Sequence, residues 1–178
     1  SSYASYIDTN AGFCGDRSTL NSQSGVGTGT VSTYMKGYLR VSTSTPSLSC
    51  ENSGDLYTGA SSNKGNKVLT YPVGLITADE VMLSGSSGAI FDGNYNNQKA
   101  TPDSYLTTGN SYWTMTPAGY YNPFGYTIWG ALLFDVSASG SIDDSYATSA
   151  SALRPVINLK SGVTVSGAGT ISDPYRIS

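Results

Sequence analysis

Two runs of this chain are strongly apolar, Ala131 to Val136 and Leu153 to Leu159. Both have the length of buried strands and are too short for ordinary helices. Upstream, Tyr112 to Met115 alternates, with Trp113 and Met115 facing one way and Tyr112 and Thr114 the other. Pro117 is expected to end that strand, because it cannot donate to a ladder. Ala118 to Trp129 then reads as a loop or irregular insertion. Ser137 to Gly140 predicts a tight connection to a polar partner strand, Ser141 to Ala147. Short strands near Val163 to Val165 and Thr170 to Ile177 finish the chain, with Gly167 and Gly169 at the turn.

Before these lies a second apolar stretch, in which Val68 to Tyr71 and Val73 to Ile76 are strand-like and Pro72 marks an edge or a bulge. Thr77-Ala78-Asp79-Glu80 has the form of a capping box, with Thr77 taking the Glu80 amide and Glu80 reaching back to the Thr77 amide. It predicts a short helix from Ala78 to about Leu83, closed by Gly85. In residues 1–67 only Thr33 to Val41 looks like a strand, and Asp16-Arg17 reads as a local ion pair. Neither an internal repeat nor an inter-domain linker is evident. The expected fold is a single α+β domain of mostly short antiparallel strands, long loops and one or two short helices. Its first part, 1–67, is loop-rich, and its second, 68–178, carries the sheet core and an aromatic loop.

Only 12% of the residues are charged, about half the usual share, and Ser, Thr, Asn and Gly take their place. With 14 tyrosines the chain still has much to bury, which argues against disorder. A net charge of −3 gives no basic patch for a phosphate backbone, so nucleic acid is not an expected partner. No apolar run is long enough to span a bilayer. The chain begins abruptly at Ser1 without a signal peptide, and the removal of an N-terminal secretion or anchoring segment is expected. Cys14 and Cys50 are expected to form a disulfide in an exported protein. The alternative is two buried thiols in a reducing compartment. Without histidine they make a poor zinc site.

The commonest general base is absent with histidine, and no nucleophile-elbow motif stands out, so the serines read as surface and turn residues. Asp143-Asp144 is either a paired-carboxylate site or a solvated acidic turn. Capping accounts for Asp79 and Glu80, and no enzyme is expected. Asp92, Asn94 and Asn96, with Asp103 in the closing position, resemble the opening of a calcium loop. Asn97 in place of the central glycine, and Pro102, favour an ordinary Asn/Gly turn; no other cofactor is expected. The aromatic tract holding Tyr120, Tyr121, Asn122, Phe124, Tyr126 and Trp129 has three readings. It is a rigid, amphipathic binding face for a glycan or protein, an interface buried between subunits of a filament, or a cover over the domain's own core.

Four separated motifs, FCGDRS, YPVGLITADEV, YWTMTP and LRPVINL, occur in that order. Together they resemble the C-terminal domains of secreted and pilin-like bacterial surface proteins. The ending also resembles the C-type-lectin-like fold of formylglycine-generating and retroelement-diversified ligand-binding proteins. That resemblance implies an extracellular or cell-surface module for adhesion. It places Arg154 near the end of the sheet, hydrogen-bonding loop carbonyls, and puts Tyr120, Tyr121, Asn122, Phe124, Tyr126 and Trp129 on the ligand-facing side. The E-P-N, Q-P-D and W-N-D motifs of calcium-dependent sugar binders are absent, so a calcium-bridged sugar site is not implied. Cys14 and Cys50 lie far from the ending, so formylglycine-generating activity is not carried over either.

Overall fold

Short apolar runs separated by polar turns give short strands, and the computed structural model, which describes residues 2–20, 33–84, 105–121 and 130–178, has ten of them among those residues. They are β1 (Phe13–Cys14), β2 (Thr33–Tyr34), β3 (Leu56–Tyr57), β4 (Gly74–Leu75), β5 (Tyr112–Tyr121), β6 (Gly130–Val136), β7 (Ile142–Tyr146), β8 (Pro155–Val156), β9 (Val165–Ser166) and β10 (Arg176–Ile177). Two helices accompany them, α1 (Lys36–Thr43) and α2 (Ala78–Leu83). The fold is α+β, and every pairing between named strands is antiparallel. A four-stranded sheet of order β2-β5-β6-β7 forms the centre, and β1–β3, β4–β8 and β9–β10 are two-stranded satellites.

The β6–β7 hairpin follows its pattern closely. Ser137 N–H donates to the Ser141 carbonyl at 2.7 Å, and Gly140 takes a positive φ of 91° that a side chain would resist. β5 departs from expectation, because it runs through Pro117 to Tyr121. Register shifts on both sides of Pro117 insert extra residues into β5, so the missing N–H falls at an irregularity in the ladder. Buried threonines satisfy the disturbed backbone. Thr114 Oγ1 donates to the Phe134 carbonyl at 2.7 Å, and Thr116 Oγ1 accepts the Ala78 N–H at 2.9 Å. That last bond ties the first turn of α2 to the sheet.

The alternation along β5 is present, and its inward face is Tyr112, Thr114 and Thr116, with Trp113 and Met115 half-buried on the other. On the inward face, Tyr112, Leu132, Phe134, Val136 and Ile142 pack against Val41 of α1 and against Ala78, Val81 and Met82 of α2. The capping box at the start of α2 is complete: Thr77 Oγ1 accepts from Glu80 N at 3.1 Å and Thr77 N donates to Glu80 Oε2 at 2.7 Å.

Thr33 to Val41 is not one strand. Only Thr33–Tyr34 pairs with β5, and the chain then turns into α1, whose i and i+4 residues Gly37 and Val41 are buried. A Cβ on Gly37 would lie 2.6 Å from Thr116 Cγ2, so glycine lets the helix sit directly on β5. The helical spacing also turns Arg40 inward. Its Nε and Nη2 donate to Asp79 at 2.7 and 3.0 Å, and its Nη1 donates to Asp16 at 2.7 Å. Asp79 additionally accepts the Ser47 N–H at 2.9 Å. The expected Asp16–Arg17 pair is therefore absent. Adjacent residues point apart here, and Arg17 pairs instead with Asp55 at 2.6 Å.

Two other strand expectations are corrected. Val68 to Tyr71 forms no named strand, and Val73 to Ile76 contributes only Gly74–Leu75. Of Leu153 to Leu159, Pro155–Val156 pairs with β4, Leu159 makes a single bridge to Ile7, and Leu153 is 71% exposed. At the C-terminus the turn glycines Gly167 and Gly169 take positive φ, and the Asp173 carbonyl accepts the N–H groups of Ala168, Gly169 and Thr170. Cys14 and Cys50 form a disulfide with Cα atoms 5.6 Å apart, closing a loop 36 residues long in sequence separation. A loop of that size contributes about 2–4 kcal/mol by restricting the unfolded chain.

Burial opposes the charge on Asp16, but its hydrogen bonds with Arg40 and Ser18 outweigh that cost and hold its carboxyl below the ordinary 3.8. Its stabilisation is therefore complete above that value and lost as pH falls through the lower folded value. Arg40→Met strands two buried carboxylates and should lower unfolding stability in urea by about 3–5 kcal/mol. Adding Asp16→Asn and Asp79→Asn should recover most of the loss. A wild-type midpoint for Arg40→Met alone would show that the cluster is dispensable.

Candidate functional site

The β5–β6 hairpin positions the aromatic tract. Tyr121 pairs with Gly130 at the last rung, so residues 122–129 are the connection between the two longest strands. Tyr120 lies within β5, half-buried and flanked by Thr33 and Ala131. The expectation of a loop from Ala118 is thus corrected, since Ala118 to Tyr121 remain in the strand. Asn122, Phe124, Tyr126 and Trp129 lie outside the described residues, as do Asp92, Asn94, Asn96 and Asp103 of the calcium reading.

The opposite face of the same end carries tyrosines that the sequence did not mark as a site, beside Asp144, which it did. One row runs Tyr34, Gly119, Leu132, Tyr146 across the sheet. From α1, Tyr38 stacks on Tyr34 with ring centroids 4.6 Å apart and planes tilted by 36°. The Tyr146 ring lies against Gly130, where a side chain would collide with it. Asp144, two residues before Tyr146, is on the same face of β7. Burial, then the neighbouring charge of Asp143, pushes the Asp144 carboxyl up. Burial likewise raises the Tyr38 hydroxyl, helped by Tyr34 and Asp144. The signal that was available for these residues is spacing: Tyr34 and Tyr38 four apart, Asp144 and Tyr146 two apart.

Asp143 and Asp144 are neither a solvated turn nor a pair of carboxylates sharing a site. Both are half-buried in β7, on opposite faces. Asp143 instead stands across from the buried Asp135 of β6. Burial raises Asp135 to about 6, with Asp143 adding to the shift and a 3.3 Å hydrogen bond from Ser145 opposing it. Among the described residues, no group of three or more histidine, cysteine or acidic side chains is arranged to hold a metal ion.

Two clefts lie among the described residues. One, of about 210 Å³, is lined by the disulfide, Leu48, Arg40, Asp79 and Glu80. Its charged groups are already occupied by the Arg40 cluster and the capping box. The other, of about 300 Å³, lies between Ile76, Tyr105, Val156 and Arg154. Arg154 donates to the carbonyls of Leu106 and Tyr105 at 3.3 and 3.1 Å, and its guanidinium lies over the rings of Tyr105 and Tyr112 at 5.6 and 5.3 Å. It braces the segment before β5 against the segment before β8.

Comparison with family models, curated proteins and solved structures finds no match. The site therefore rests on its own geometry.

Because the folded state raises the Asp135 carboxyl from 3.8 to about 6, the fold takes up a proton as pH falls through that window and gains stability. Asp135→Asn should raise unfolding stability by about 1–3 kcal/mol near pH 8, with the gain vanishing below about pH 4. Chemical denaturation at the two pH values checks this, and an equal effect at both would place the cause elsewhere.

Proposed function

We propose that this chain is a non-enzymatic bacterial surface module that binds a glycan or protein ligand in adhesion, through the aromatic face at the free end of the β5–β6 hairpin. One observation carries the reading. The two longest strands of the sheet end at Tyr121 and Gly130, and the tract between them holds Asn122, Phe124, Tyr126 and Trp129. An aromatic connection between two long paired strands is an arrangement that recognition surfaces use, since Tyr and Trp give large contact area at low entropy cost.

Other features agree with that reading. A disulfide is compatible with an extracellular protein, and among the described residues no helix is long and apolar enough to cross a membrane. Histidine is absent from the chain, and the perturbed carboxylate Asp135 is explained by burial and then by its neighbour Asp143. The order of the FCGDRS, YPVGLITADEV, YWTMTP and LRPVINL motifs supports the same surface context, with a C-type-lectin-like fold as its finer form.

A second reading, a subunit of a pilus-like filament, draws on the C-terminal region. Leu153, Ile171 and Tyr175 are 71%, 64% and 59% exposed, which is apolar area suited to a subunit interface. Sedimentation at rising concentration separates the two, because a persistent monomer counts against self-assembly.

Binding to immobilised glycans and to extracellular matrix proteins, compared with a Tyr121→Ala, Trp129→Ala variant, tests the first reading. The variant is expected to lose binding with an unchanged melting temperature. Equal binding by both proteins would sink it.

A further inference from the structure

We infer that the free edge of residues 152–160 is a dimerisation surface, on which two copies of this chain pair antiparallel about a twofold axis at Val156. The inference is independent of the ligand reading above. It also differs from the filament reading, because a twofold contact closes on itself.

The segment makes its backbone pairings on one side. Ala152 accepts from Trp113 N–H and donates to the Ser111 carbonyl. Pro155 has no N–H, so the rung to β4 is made through Val156, opposite Gly74. Asn158 accepts from Asp8 N–H at 2.8 Å, and Lys160 N–H donates to the Tyr6 carbonyl at 2.9 Å. These residues are all even-numbered, and in an extended chain successive residues address opposite edges. The odd-numbered residues therefore face the other edge. Among the described residues, the backbone N–H and carbonyl groups of Leu153, Ile157 and Leu159 have no hydrogen-bond partner.

Side-chain exposure follows the same alternation. Leu153, Ile157 and Leu159 are 71%, 45% and 37% exposed and Pro155 is exposed, whereas Arg154, Val156 and Asn158 are half-buried. Arg154, the one charged residue from 153 to 159, turns to the opposite face and donates to the Tyr105 and Leu106 carbonyls. Sheets ordinarily guard an open edge with charged side chains. Here the guard is Pro155 alone, which withholds a single donor.

The edge fits its own copy. Pairing about Val156 sets Leu153 opposite Leu159 and Pro155 opposite Ile157, so each exposed apolar side chain gains an apolar cross-strand neighbour. Leu153 and Leu159 then exchange both hydrogen bonds, and Ile157 N–H reaches the Pro155 carbonyl. On the other face Arg154 stands opposite Asn158, so like charges do not meet. A foreign strand could make similar backbone bonds, but no charge on this edge selects one, whereas the Leu153–Leu159 match selects the second copy.

Sedimentation equilibrium of wild type and of a Leu153→Lys, Ile157→Lys variant, run beside amide hydrogen exchange read by NMR, tests the inference. Both substituted positions are exposed, so the variant is expected to keep the wild-type circular dichroism. Wild type is expected to become dimeric as concentration rises, with the amides of Leu153, Ile157 and Leu159 gaining protection in step. The variant is expected to dimerise at least about tenfold more weakly. Should it fail to fold, the exchange pattern of wild type decides alone. A wild type that stays monomeric overturns the dimer, and if that monomer binds a synthetic Thr-Val repeat peptide the edge belongs to a foreign strand. A dimer in which those three amides exchange freely, or which the double substitution leaves intact, is built on another surface and overturns it too. Species that grow beyond the dimer overturn the twofold and favour the filament reading. The ligand reading is decided separately, by the Tyr121→Ala, Trp129→Ala comparison.

Discussion

A guanidinium held between two buried carboxylates is the interaction on which this fold depends. Arg40 belongs to α1, Asp79 to α2 and Asp16 to the segment after β1, so one side chain joins three parts of the chain. Asp79 is only 3% exposed and also holds the Ser47 amide, which fixes the strap leading to Cys50. Such a cluster is expensive to desolvate and is maintained only when every donor and acceptor is met. Here the planar fork of arginine meets both oxygens of Asp79 and reaches Asp16 with its remaining nitrogen, a geometry that a lysine ammonium does not reproduce.

Around that cluster the scaffold and the surface are divided between the two faces of one sheet. The inward face is apolar where α1 and α2 cover it, and its threonines serve the bulged backbone of β5 and the first turn of α2. Toward the hairpin end the same face carries Tyr34 and Tyr146, with Tyr38 of α1 stacked on Tyr34, and Asp144 follows along β7. The outward face carries Trp113, Asp135 and Asp143, where two acids meet across the ladder and burial helps raise the Asp135 carboxyl to about 6. Like charges at opposed positions cost stability, so this pair is a place where the fold tolerates strain in its electrostatics.

Legibility in the sequence followed the range of the forces involved. The capping box at Thr77 was readable because its partners are three residues apart and the bonds are local. The β6–β7 hairpin was readable because its glycine turn and apolar run specify it with no help from elsewhere. Thr33 to Val41 was misread, since its β-branched and aromatic residues satisfy a strand pattern equally well; Gly37 against Thr116 and Arg40 against Asp79 decide for a helix, and neither partner is near in sequence. Pro117 was misread for a related reason: a proline ends an isolated strand, but a bulge supported by buried threonines carries this one through.

The amino-acid sequence by itself determined the α+β class, the pairing of its only two cysteines, the short helix after Thr77 and the position of the aromatic tract between two apolar strands. These follow from local periodicity, turn chemistry and composition. Tertiary structure alone decided which acid each arginine takes, which carboxylates face each other, and which tyrosines gather beside Asp144. Those choices depend on strand register and helix packing between residues tens to more than a hundred positions apart, and a one-residue change of register would have sent each side chain to the other face of the sheet.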